Sequence, residues 1–277
     1  MSDQGRDPEI LAENYRFLQQ HVYSEAGIVL GDDKHYLFET RLAPIVRQLG
    51  LGSINDLCAL LRASRGTETG QRVVEAMTTN ETYFFRDPTH YEAIRTVLLP
   101  RLKEDRRDTK KLRFWSAAAS TGQEAYSLAM LLLEDDLRTW NIQILGTDFS
   151  SHVLERAQSG TYQQIEVNRG LRAPLLLKHF RRAGVNWQLS DEVRRMARFE
   201  KFDLRRSMRA LGPFDLVFCR NVLIYFDTET RKKILRELHG TLFRGGWLML
   251  GGSETAFGIE EWFEKQALGS TTVYVAR

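Results

Sequence analysis

Apolar residues recur every three or four positions between residues 10 and 26, at Ile10, Leu11, Tyr15, Phe17, Leu18, Val22 and Tyr23. That period predicts an amphipathic helix, with Gly27 as its stop. A second helix is expected from Lys34 to Leu49, with Leu37, Phe38, Leu42, Ile45 and Val46 facing inward. Pro44 inside it predicts a kink or a late start. Ser53 followed by Asp56 resembles a capping box and opens a third helix running through Leu61. A fourth helix runs from Thr69 to Met77. No strand pattern interrupts these segments, so residues 1–77 are expected to form a small all-helical domain.

The pattern changes at residues 78–88, where threonines, Asn80 and the aromatic run Tyr83-Phe84-Phe85 make poor helix material. Pro88 then suits the first turn of a new helix. The segment is too apolar for a free linker. It is expected to pack against the larger domain and present Asn80, Thr82 and Arg86 to a ligand; a hinge held down by its aromatics is the alternative.

From residue 89 to 277 strand and helix signals alternate. Strands are expected at Leu112–Ala117, Ile142–Gly146 (ending at Asp148), Phe214–Cys219, Trp247–Gly251 and Thr271–Ala276. Helices are expected at Gln123–Glu134, after Ser150, and at Thr228–Phe243, with a Gly245-Gly246 turn following the last. This alternation predicts an α/β fold with a mostly parallel, doubly wound sheet. Residues 160–210 break the rhythm. A helical Leu175–Phe180 precedes two β-prone pieces, Val185–Leu189 and Ala197–Phe202, which predict a small antiparallel β-subdomain inserted over residues 178–202.

The chemistry concentrates at strand ends. The run Phe214–Cys219 turns polar at Arg220 and Asn221, with Tyr225 close behind. In an open α/β sheet, ligands sit outside the carboxyl ends of the strands. After the first strand, the small-residue loop Ala118-Ala-Ser-Thr-Gly122 permits close backbone approach. Asp148 closes the second strand, 26 positions after Gly122, where a carboxylate can accept both ribose hydroxyls. The three-glycine dinucleotide fingerprint is missing, which disfavours a nicotinamide or flavin and leaves a nucleoside without a pyrophosphate, S-adenosylmethionine being the commonest. Glu124 sits near the helix start, either close to the ligand or simply favoured there by the helix dipole.

Composition narrows the class further. The 43% hydrophobic and 27% charged content is that of an ordinary globular chain, and no window reaches the ~18 apolar residues of a membrane helix. The polar start Met1–Pro8 is no signal peptide. Two distant cysteines, Cys58 and Cys219, read as buried thiols in a reducing compartment, so a cytoplasmic location is expected. The six histidines lack metal-ligand spacing, so no metal is expected. Eleven basic against four acidic residues between Leu171 and Arg209 suit either an acidic partner or a solvated surface.

In order along the chain, the segments Thr79–Arg86, Trp115–Ser127, Gly146-Thr-Asp148, Phe218–Phe226 and Gly251-Gly-Ser-Glu254 resemble the CheR family of chemotaxis receptor methyltransferases, over effectively the full length. The resemblance implies a SAM-dependent methyltransferase that esterifies glutamate side chains of chemoreceptors, with S-adenosylhomocysteine as product. It places the cofactor among Asn80, Thr82, Arg86, Glu124, Asp148, Asp203, Leu204, Arg220 and Asn221, and Arg86 and Tyr225 near the reacting methyl group. The family often has Asn-Leu where this chain has Asp203-Leu204. It also implies docking of the receptor's cytoplasmic helices on the second helix, through Arg41 and Arg47, with Pro44 standing where a basic residue is common. The short loop Arg182–Asn186 implies independence from a receptor C-terminal pentapeptide tether, and nothing demands more than a monomer. Alternatives are a nucleic-acid methyltransferase, disfavoured because Arg220-Asn221-Val222-Leu223 lacks proline, and a non-catalytic SAM-binding module.

Overall fold

The computed structural model describes residues 9–63, 67–135, 137, 139–256 and 258–277, so the polar start read above as lacking a signal peptide lies outside the described residues. The chain divides into two units. One holds the residues up to Thr79 together with Tyr225–Asp227; the other holds Asn80–Ile224 and Thr228–Arg277. The division falls inside the 78–88 segment.

The first unit contains α1 (Ala12–Ala26), α2 (His35–Gln48), α3 (Ile54–Ala63) and α4 (Glu68–Met77). The apolar stripe of each helix supplies its core: Leu18, Val22, Phe38, Leu42, Leu57, Cys58, Val73 and Val74 are nearly or fully buried. A buried Leu or Phe contributes roughly 1.5–3 kcal/mol, so this small core is what holds the helices together. Gly27 ends α1 in the left-handed conformation, its N–H on the Tyr23 carbonyl. Ser53 caps α3, accepting the Asp56 N–H at 3.2 Å while its hydroxyl donates to the Asp56 carboxylate at 2.9 Å. Pro44 lies within α2, which starts after a 3₁₀ turn over Asp32–Lys34.

The second unit opens with α5 (Pro88–Ala93), a wider helical turn over Ile94–Leu98 and α6 (Leu99–Asp105). There follow β1 (Lys111–Ala117), α7 (Gln123–Glu134), β2 (Asn141–Asp148), α8 (Ser151–Ser159), β3 (Thr161–Gln163), α9 (Gln164–Asn168), α10 (Ala173–His179), β4 (Phe180–Ala183), β5 (Asn186–Leu189), α11 (Asp191–Arg194) and β6 (Ala197–Lys201). The chain ends with β7 (Phe214–Cys219), α12 (Thr228–His239), β8 (Leu242–Leu250), β9 (Phe263–Leu268) and β10 (Thr271–Ala276). Seven strands form one sheet in the order β6-β2-β1-β7-β8-β10-β9. Its first five strands are parallel and β10 runs antiparallel to both its neighbours. The chain winds outward from β1 to β6, then returns to place β7 on the other side of β1, which makes the carboxyl ends of β1 and β7 the switch point of the sheet.

Three expectations are corrected. Ala197–Phe202 belongs to the main sheet, not to the inserted subdomain. β6 pairs parallel with β2 from Ile144↔Ala197 to Asp148↔Lys201. It is an edge strand whose exposed positions carry charge, and that polar alternation mimics a hairpin strand. The small antiparallel sheet is instead β3-β5-β4, so the subdomain begins at Thr161, upstream of residue 178. β3 has three residues, too few to show a period. Finally, Gly245-Gly246 is not a turn before the strand but lies within β8. The register slips there from Phe214↔Leu242 to Leu216↔Trp247, and a Cβ on Gly246 would meet the Phe243 carbonyl at 2.9 Å. Glycine permits this bulge, and α12 accordingly stops at His239.

Candidate active site

β1, β2 and β7 all end on one rim. Beyond β1 the loop turns through Ala118 and Ser120 with positive φ of 67° and 50°, then Gly122 at 93°. A Cβ on Gly122 would press Ala157, Tyr126 and Phe199 at 3.0–3.2 Å, so the glycine is required both by conformation and by space. Phe85, Asp87 and Asn221 also have positive φ; of six such non-glycine residues described, only Lys110 lies elsewhere. Strain of about 1–3 kcal/mol per residue persists only where the surroundings over-determine it, and here it gathers along the candidate rim.

Asp148 is buried at the end of β2, and its two carboxylate oxygens accept the Ser120 N–H at 2.9 Å and the Ser150 N–H at 3.0 Å. These two backbone donors fix the direction of the carboxylate at the strand end. Ser120 also reaches back with its hydroxyl to the Asn80 carbonyl at 2.8 Å, tying the Asn80–Arg86 segment to the β1 loop.

The buried charges meet beneath this loop. Glu124, in the first turn of α7, accepts Ser116 Oγ at 2.7 Å and Arg220 Nη1 at 2.8 Å. Arg220 Nη2 donates to the Arg86 carbonyl at 2.8 Å and to Asp87 Oδ2 at 2.5 Å. Burial works against the Arg220 charge, but Glu124, Tyr91 and Asp87 outweigh it and raise its pKa. Beside it, burial and then the Arg220 charge push His90 down to about 4. Arg220 therefore locks the β7 end, α7 and the segment carrying Arg86 into one frame.

Asn221 is held from the other side. The Glu254 carboxylate accepts three backbone N–H groups, from Asn221 at 2.6 Å, Leu223 at 2.8 Å and Gly251 at 2.8 Å. A Cβ on Gly251 would meet Asn221 Nδ2 at 2.6 Å, so the glycine leaves room for the asparagine side chain. Glu254, Ser116, Ser120 and Asp87 were not singled out from sequence as site residues. The glutamate of Gly251-Gly-Ser-Glu254 was the available signal, since a carboxylate beside two glycines suits a nest of backbone donors.

The remaining residues are placed as follows. Thr82 is half-buried on the Asn80–Arg86 segment. Arg86 donates to the Glu81 carbonyl at 3.0 Å and lies over the Tyr83 ring. Leu204 is buried, while the Asp203 carboxylate accepts from Arg205 Nε at 3.0 Å and Nη2 at 2.7 Å, which stiffens its turn. Tyr225 closes the 3₁₀ turn Leu223–Tyr225, groups with the helical unit, and accepts the Val29 N–H at 2.8 Å on its carbonyl. Arg41, expected on a docking face, caps the C-terminus of α4. Its guanidinium donates to the Met77 and Thr78 carbonyls at 2.9 Å each and to Thr79 Oγ1 at 3.1 Å. Arg47 is exposed. Among the described residues no helix is long and apolar enough to cross a membrane, and no three His, Cys, Asp or Glu converge as metal ligands.

Two family models match in tandem: the CheR methyltransferase all-alpha domain over residues 13–78 and the CheR methyltransferase SAM binding domain over residues 80–272. A chemotaxis protein methyltransferase of Vibrio parahaemolyticus is 38% identical, covering 95% of this chain and 96% of the relative. Chemotaxis protein methyltransferase 1 of Pseudomonas aeruginosa is also 38% identical, covering 96% of this chain and 99% of the relative.

Proposed function

The chain belongs to the CheR methyltransferase family, and from that premise we propose that it methylates glutamate side-chain carboxylates of chemoreceptors, forming the methyl esters of sensory adaptation. It is a SAM-dependent methyltransferase by family. The observation that carries the reading is the anchored Asp148 carboxylate beside the Glu124–Arg220 frame at the switch point of the sheet.

These residues fit the cofactor. Asp148 is a carboxylate aimed by two N–H donors at the end of β2, the place and chemistry for ribose hydroxyls, and the loop after β1 has the Gly122 opening without a pyrophosphate-binding fingerprint. Asn80, Thr82, Arg86, Glu124, Asp148, Asp203, Leu204, Arg220 and Asn221 would hold it, with the Arg205 pair fixing the Asp203 turn next to Leu204. When bound, S-adenosylmethionine supplies a methyl group on a positively charged sulfur.

The acceptor glutamate is already ionised at neutral pH, its reference pKa being about 4.3, so no general base is needed. Rate enhancement then comes from positioning and fixed charge. Arg86 holds the acceptor carboxylate or the cofactor carboxylate. Tyr225 orients the incoming carboxylate through its hydroxyl. Receptor helices are the partner, with Arg41 and Arg47 of α2 as the docking cations, and neither a receptor C-terminal tether nor more than one copy of the chain is required. Cytoplasmic action follows from that partner.

The test is mass-spectrometric mapping of receptor incubated with enzyme and cofactor. Methylated glutamates are expected, lost with Arg86→Ala and slowed at least tenfold in kcat with Tyr225→Phe, on the scale of one transition-state hydrogen bond. Modification only at lysine or arginine would overturn the reading.

A further inference from the structure

A second arginine stands beside Arg86 and belongs to neither the cofactor frame nor the core. Arg169 follows α9, and its guanidinium lies 4.3 Å from the centroid of the Tyr83 ring, with Arg86 5.6 Å from the same centroid. Arg169 Nη2 donates to Glu81 Oε1 at 2.6 Å. Both partners of that ion pair are more than half exposed, which makes it a weak and displaceable contact. One of the five guanidinium N–H donors is used.

The placement is enforced. Gly170 has φ of 83°, and a Cβ there would sit 1.9 Å from the Phe84 carbonyl and 3.2 Å from Tyr83. No side chain fits, so the backbone next to Arg169 is pressed onto the Tyr83-Phe84 segment. Phe84 is in turn fully buried, edge-on to the rings of Tyr162 at 5.0 Å and Phe180 at 5.6 Å. Tyr162 donates its hydroxyl to the Thr121 carbonyl at 2.8 Å, in the loop after β1. A buried aromatic cluster thus delivers an exposed guanidinium to the ring that also carries Arg86. The Arg169 partner is a single carboxylate, whose pKa is lowered by the hydrogen bond and the charge of Arg169.

We propose that Arg169 is a substrate-recognition residue that binds a second acidic side chain on the acceptor segment, with Glu81 as the resting counter-ion that the acceptor displaces. The inference rests on the receptor-carboxylate reading above. Arg86 and Arg169 both lie within 6 Å of one ring, and carboxylates one turn apart on a helix, with a pitch of about 5.4 Å, can address both. Among the described residues Arg169 meets Glu81 and Tyr83, neither of them assigned to the cofactor, so its contribution is to acceptor binding.

Steady-state kinetics of the intact enzyme on receptor-containing membranes, varying receptor and cofactor separately, decides it. Arg169→Ala is expected to raise the receptor KM about tenfold, with kcat and the cofactor KM within about twofold of wild type, the pattern of lost uniform binding. Its melting temperature stays unchanged. Arg169→Lys recovers part of the loss, and Glu81→Gln lowers the receptor KM by removing the competitor. An unchanged receptor KM in Arg169→Ala, or an equal loss of cofactor affinity, overturns the assignment. Wild-type enzyme that forms no ester on receptor would instead sink the underlying function, which the same assay reads separately.

Discussion

At the residue scale, the site depends on one buried arginine. Arg220 joins Glu124, Asp87 and the Arg86 carbonyl, and removing it strands the buried carboxylate of Glu124. Breaking such a pair costs about 3–5 kcal/mol, so Arg220→Met should lower stability by that order and abolish cofactor binding, as checked by denaturant unfolding and calorimetry. His90 gives a pH signature. Its folded-state pKa is pushed down to about 4 from 6.5, so between these values the unfolded chain binds the proton and the folded chain does not. Stability should therefore fall as pH drops from 6.5 towards 4, by on the order of 3 kcal/mol, and His90→Gln should lose this component of the acid slope. Sequence made Arg220, Asn221 and Asp148 legible because they break apolar strands at their ends. It could not show that Asp203 pairs with Arg205 or that Arg41 caps α4, since both pairings depend on local geometry and not on residue type.

At the element scale, long periodic segments were legible and short ones were not. α1, α7, β1, β2 and β7 each carry a sustained pattern that one burial mode explains, and the structure puts them at the expected places. β3 is too short for a period. β9, with its exposed Glu264 and Lys265, alternates too weakly to stand out. β6 was visible as a strand but its partner was not, because pairing across a subdomain is non-local. Connections carry more of the site than the elements do. Gly170 holds the α9–α10 connection on the Tyr83-Phe84 segment, and Gly170→Ala, strained in both φ and space, should cost at least about 1–3 kcal/mol and release Arg169. Thermal unfolding together with the receptor KM would show both effects; full stability in this variant would mean the close approach is not needed.

At the scale of the whole molecule, one chain combines a helical unit with a sheet whose switch point carries an anchored carboxylate and a buried charged frame. The strand–helix alternation alone gave the fold class, and the missing three-glycine fingerprint redirected the site from dinucleotides to a smaller nucleoside. The acceptor is the part that strand patterns do not encode, because any nucleophile can meet the same methyl donor. The most direct measurement is therefore transfer of tritiated methyl from S-adenosylmethionine to chemoreceptor-containing membranes, with nucleic acid as a parallel acceptor, followed by mild alkali. The account predicts label on receptor protein that alkali releases as methanol, the mark of a carboxyl methyl ester; alkali-stable label, or label on nucleic acid, would contradict it.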